Sequence, residues 1–99
     1  MEPIIIEYAS ELYPEKLRGI EKPPSRLYVL GNIEILNEVG IAVVGSRTNT
    51  EYGEKMCKKF VKGLLEYNIN IISGLAFGID SIAHQSCLKN GGRTIAVLP

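Results

Sequence analysis

The chain has 99 residues, 45% hydrophobic and 22% charged, with 11 basic side chains balanced by 11 acidic ones. That composition fits one small globular domain. It excludes a bilayer-crossing helix, since no apolar run approaches the roughly 20 residues needed. A net charge of zero gives none of the basic excess that usually marks a nucleic-acid binder, so any anion must be held locally, by helix N-termini, backbone N–H groups and one or two arginines.

In chain order, "PIIIEY" (3–8) reads as a strand, and Pro14 suits the first turn of a short helix over "PEKLRGI". The Pro23-Pro24 pair marks an extended stop before "RLYVLG" (26–31), a second short strand. Asn32 is placed to cap a brief helix running to Glu38. Residues 1–40 are thus an irregular N-terminal segment expected to pack on a sheet formed by residues 41–99.

From Ile41 the pattern becomes regular. "IAVVG" (41–45), "INIIS" (69–73) and "TIAVLP" (94–99) are short runs rich in Ile and Val, the pattern of parallel strands buried on both faces. Between the first two, Tyr52, Met56, Cys57, Phe60, Val61, Leu64 and Leu65 form one stripe on a helix from Thr50 to Tyr67. Thr48 with Glu51 fits a capping box, and Thr50 is also a plausible cap. Asn68 stands where a left-handed residue would close the helix. A second helix is expected from Asp80, as N-cap, to Asn90, with Ile82, Ala83 and Cys87 inward and Gly91-Gly92 ending it. Strand–helix–strand–helix–strand is half of a doubly wound α/β sheet. Cys57 and Cys87 lie within the helices without metal-ligand spacing, so they read as buried thiols of a reducing cytoplasm.

In an open parallel sheet, ligands bind beyond the carboxyl ends of the strands. Two loops meet that condition and should lie side by side: "GSRTNT" after the first core strand and "SGLAFGID" (73–80) after the second. Both lead into helix N-termini, which favour negative charge. Gly45 and Gly74 read equally as turn formers or as close approaches to a ligand, and Gly78 first as the residue shaping the turn before Asp80. Ser46 and Ser73 flank these glycines. Arg47, at a strand end facing a crevice, offers a fork of donors matched to a phosphate.

Neither loop is a dinucleotide site: G-x-G-x-x-G is absent, and no carboxylate follows the second strand before Asp80. G-x-x-x-x-G-K-[ST] is absent too, so P-loop nucleotide hydrolysis is excluded. His84, four residues after Asp80, could pair with it as a general base, but no nucleophile accompanies them, and Asp80 is better used as a cap. Tyr13, Tyr28, Tyr52 and Phe77 could stack on bases, although packing is the commoner use of such residues. Lys55, Lys58, Lys59 and Lys62, interleaved with Glu51, Glu54 and Glu66, read as a solvated mixed-charge surface. No catalytic residue, metal site or cofactor emerges.

Taken in order, "YPEKLRGIEKPPSRLYVLGN", "IAVVGSRTNTEYG" and "IISGLAFGIDSIAHQSCLKNGGRTIAVL" resemble the DNA-processing protein A family, also called Smf, from about Tyr13 to Leu98. Thr50 and Asn68 depart mildly, standing where serine and glycine are common. The resemblance implies a three-layer Rossmann-like parallel sheet, here a βαβαβ half truncated after its third core strand. It implies non-catalytic binding of single-stranded DNA in natural transformation and loading of a RecA-type recombinase. It also implies that Arg47 contacts DNA phosphate, with Ser73 and Gly74 lining the same pocket. A chain this short leaves sheet edges open, and a homodimer is one way to cover them. The alternative is an enzyme of the phosphoribohydrolase type, similar in fold but relying on a downstream glutamate motif that the sequence lacks.

Overall fold

The computed structural model describes residues 2–99, which divide into two compact units, one up to Asn37 and one from Glu38 to Pro99. In the first, β1 (Ile4–Glu7) pairs antiparallel with β2 (Arg26–Val29), with Ile4 opposite Val29. Between them lies the single turn α1 (Glu15–Arg18), entered through Pro14 at φ −61°. Tyr13 anchors this unit: it is buried, its hydroxyl donates to Pro24 O at 2.7 Å, and its ring meets Tyr8 edge-on at 5.2 Å. The Arg18 guanidinium lies 4.9 and 5.1 Å from these two rings and donates to Ser10 O at 2.6 Å. Cation–π contact and a charge-assisted hydrogen bond therefore supplement the small apolar core of buried Ile6 and Tyr13. A 3₁₀ turn, Ile33–Asn37, follows Asn32, whose side chain accepts from Glu34 N at 3.0 Å.

The second unit is a parallel sheet of β3 (Gly40–Ala42), β4 (Asn70–Ser73) and β5 (Thr94–Ala96), with β4 central. Its crossovers are α2 (Glu51–Leu65) and α3 (Ile79–Lys89). Both helices share one core on one face of the sheet: Cys57 and Val61 from α2, Ile71 from β4, Ala83 and Cys87 from α3, with Val43, Leu64, Leu65, Ile79 and Ile82 around them. Val61 and Ile71 are fully buried, each contributing about 1.5–3 kcal/mol relative to exposure. Burial pushes both thiols above their ordinary pKa, and the charge of Asp80 raises that of Cys57 further. Both cysteines are thus held as neutral packing groups.

Thr50 is the cap of α2, its hydroxyl accepting from Gly53 N at 3.0 Å, and Asn68 adopts φ 58° just past the helix. The seven-residue stripe on α2 is broader than the face that packs. Phe60 and Tyr52 are 61% and 72% exposed, because at about 100° per residue they lie roughly 60° and 140° round the helix from Cys57. No helix among the described residues is long and apolar enough to cross a membrane.

Candidate nucleic-acid interface

The carboxyl ends of β3 and β4 lead into two loops that the structure brings into direct contact. Val43 N continues the ladder to Ile72 O at 2.9 Å, and the Ser73 hydroxyl donates to Val43 O at 2.5 Å. Beyond that point Gly45 N donates to Asp80 Oδ1 at 3.4 Å, and Ile79 N donates to Ser46 O at 3.1 Å. Residues 45–47 therefore lie against the entry to α3.

The glycines make this approach possible. Gly78 has φ +80°, and a methyl group there would collide with Ser46 O and lie 2.7 Å from Arg47 C. Only glycine satisfies both the torsion and the space. A methyl on Gly45 would sit 2.8 Å from the Ile79 side chain, and one on Gly74 2.8 Å from Asp80 Oδ2. Packing of loop against helix thus accounts for all three glycines.

Arg47 occupies the bend at the tip of the first loop. It is exposed, and no ion pair among the described residues involves it. Its position is set by backbone on both sides: Ser46 O is held by Ile79 N, while the Ser46 hydroxyl donates to Thr48 O at 3.0 Å and accepts from Thr48 N at 3.1 Å. A free guanidinium on a braced turn has lost little of its capacity to take a phosphate. Ser73, in contrast, is buried with its hydroxyl turned inward, so it ties the strands beneath the site. Gly74 and Gly78 are half-buried at the rim.

Two expectations need correction. Asp80 is not the N-cap of α3: Gly78 holds that position without a side-chain cap, and Asp80 is the second helical residue, 7% exposed, reaching across to Gly45. With Gly78 as N-cap the helix starts two residues earlier than an Asp80 cap would place it, and the carboxylate instead accepts from Gly45 N. As a result the helix ends are less free for an external anion than the sequence implies. Asp80 lies in the first turn of α3, and Glu51 and Glu54 lie in the first turn of α2, so each helix dipole already faces a carboxylate of its own. The cationic character of the rim rests on Arg47.

His84 is not a base paired with Asp80. Its Nε2 lies 2.7 Å from Gly74 O, and a carbonyl can only accept, so that nitrogen carries a proton; Nδ1 lies 2.6 Å from the Thr94 hydroxyl. From one side of α3, Asp80 therefore holds the first loop and His84 the second, and Ser81 adds a bond from its hydroxyl to Ala76 O at 2.9 Å. The spacing Asp80-x-x-x-His84 was a readable signal for this bracket, since residues four apart share a helix face. The rim itself is open, whereas a cavity of about 100 Å³ lined by Leu65, Asn70, Asn90 and Arg93 lies at the other end of the sheet.

The family model of DNA recombination-mediator protein A matches residues 4–99. The chain belongs to that family. This family member is 44% identical over 88 residues to DNA processing protein DprA of Streptococcus pneumoniae, covering 89% of the chain and 31% of the relative. It is 40% identical over 94 residues to protein Smf of Escherichia coli, covering 95% and 25% respectively. It thus spans less than a third of the length of these relatives. Among solved structures, DNA processing protein A from Streptococcus pneumoniae superposes with a TM-score of 0.92 at 41% identity, covering 97% of this chain and 34% of that one. DNA processing protein A from Helicobacter pylori, described for its unique single-stranded DNA binding mode, gives 0.81 at 25% identity, covering 100% and 45%. The Rossmann-like α/β reading is confirmed by these superpositions.

Proposed function

We propose that this DNA recombination-mediator family member binds single-stranded DNA at the carboxyl rim of its sheet. Arg47 takes a backbone phosphate, and Gly45, Ser46, Gly74 and Gly78 shape the two packed loops that hold it at the rim. Ser73, in the same cluster, holds the two strands that carry the loops. The observation that supports this most is the exposed, unpaired Arg47 on a turn braced from both sides. An open rim suits an extended polymer better than a mononucleotide, and His84, committed to a carbonyl and a hydroxyl, leaves the site without a general base. We read the chain as non-catalytic and cytoplasmic. In the longer proteins of the family the same rim would serve DNA uptake and delivery of the strand to a RecA-type recombinase, from a homodimer.

With so few phosphates contacted, binding should be weak, salt-sensitive and nearly independent of sequence. Replacing Arg47 by alanine is expected to weaken binding on every oligonucleotide and to lower the slope of log affinity against log salt by about one, with thermal stability unchanged. Fluorescence anisotropy at several salt concentrations measures both quantities. Undiminished binding by the variant would remove Arg47 from the interface.

A further inference from the structure

The second loop presents something the phosphate reading does not use. Residues 74–78 alternate in exposure, with Gly74, Ala76 and Gly78 half-buried and Leu75 and Phe77 outside. Phe77 is 83% exposed and Leu75 63%. The backbone carrying them is tied down: His84 Nε2 donates to Gly74 O, the Ser81 hydroxyl donates to Ala76 O, and Ile79 N donates to Ser46 O on the first loop. Phe77 is therefore an aromatic ring held out on a turn whose backbone is fixed. Gly78 brings the two loops so close that its Cα substituent would meet the Arg47 backbone at 2.7 Å. A ring and a guanidinium therefore project from adjacent backbone segments at the same end of the sheet.

That pairing fits the repeat of an unpaired strand, in which a charged phosphate alternates with a base whose π-face is free to stack. A duplex offers the phosphates but keeps its bases stacked inside. We propose that Phe77 is the stacking platform for one unpaired nucleobase, and that it, rather than Arg47, gives the rim its preference for single strands over duplex. The inference rests on the reading of Arg47 as the phosphate contact.

The test titrates the parent chain, Phe77→Ala, Phe77→Trp and Arg47→Ala against three probes: oligothymidylate, an abasic strand of the same length and a duplex. Phe77→Ala should bind oligothymidylate about tenfold more weakly, bind the abasic strand and the duplex as the parent does, and keep the parent's salt slope. The chain contains no tryptophan and five tyrosines, so Phe77→Trp supplies a single tryptophan that can be excited selectively at the red edge of the absorption band. Its fluorescence should be quenched by oligothymidylate and not by the abasic strand. Equal oligothymidylate affinity in the parent and Phe77→Ala, with loss only in Arg47→Ala, overturns the platform and leaves the phosphate contact standing. A Phe77→Ala variant that loses self-association but no DNA affinity assigns the ring to a second copy and also overturns it. No binding of any probe by the parent removes the Arg47 reading and this proposal with it.

Discussion

The two ends of the parallel sheet use charge in opposite ways. At the amino end, Glu38 accepts from Arg93 at 2.9 Å and from the buried Asn70 side chain at 2.9 Å, so an arginine, a carboxylate and an amide satisfy one another. At the carboxyl end, Asp80 is turned inward to a backbone amide while Arg47 has no acidic partner among the described residues. The chain is neutral as a whole, yet one end is closed to further charge and the other is not. Local pairing, not net charge, decides where an anion can be held.

The largest expected effect is at the joint between the two loops. Gly78→Ala forces a methyl into the backbone of Ser46 and Arg47 and into a torsion that L-residues avoid. The obstacle is main chain, which cannot swing aside as a side chain would, so the cost should be about 3 kcal/mol or more. Chemical denaturation measures it. The same variant should lose oligonucleotide binding at temperatures where it stays folded, because Arg47 would be displaced. Retention of both properties would show that the loops are not rigidly coupled.

A smaller effect is expected at Asp80. Asp80→Ala removes the acceptor for Gly45 N and the carboxylate in the first turn of α3. The hydrogen bond is long at 3.4 Å, so a loss near the low end of the range, about 1 kcal/mol, is appropriate. Asp80→Asn keeps an acceptor and should recover part of that stability. For DNA the two variants should part company: Asn removes a negative charge beneath the rim and should tighten binding, whereas Ala frees the loop and should weaken it. Parallel denaturation and anisotropy experiments separate the roles, and identical binding by both variants would show that Asp80 influences the site by neither route.

What could be read in the sequence divides along the same line. The strands and helices from Ile41 onward announced themselves through continuous apolar runs and helical spacing, because backbone pairing and core burial impose those patterns directly. Although β3 is largely exposed, with Ile41 38% and, just past the strand, Val44 70% accessible, and not buried on both faces as its apolar run implies, Arg47 was legible because it closes that run at a strand end. Side-chain direction was not. Ser73 looks like a rim residue, but its hydroxyl turns to Val43 O. Asp80 has the residue type of a cap, but the cap position falls to Gly78 and Asp80 lies inside the first turn. Phe77 would be counted with the core on residue type, and its exposure follows from a loop backbone fixed by His84, Ser81 and Ile79, none of which is its neighbour in a sequence pattern.

The smallest effect belongs to the closed end, and it tests the contrast from the other side. Glu38→Gln removes the charge that holds Arg93 while leaving an acceptor for the Asn70 amide. The pair is partly exposed, with side-chain accessibilities of 48% for Arg93 and 38% for Glu38, so solvent screens it and the loss should be about 0.5 kcal/mol or less. The substitution also leaves Arg93 unpaired, giving the amino end the same kind of free guanidinium as the rim. If a free arginine were enough, this variant would gain affinity for oligonucleotides. The expected result is no gain, because Arg93 stands just past the carboxyl end of α3, where the helix dipole disfavours an anion, and not on a loop that leads into a helix amino end. Anisotropy titration of Glu38→Gln beside the parent measures the difference. A clear increase in affinity would mean that charge alone, without the geometry of the carboxyl rim, governs binding.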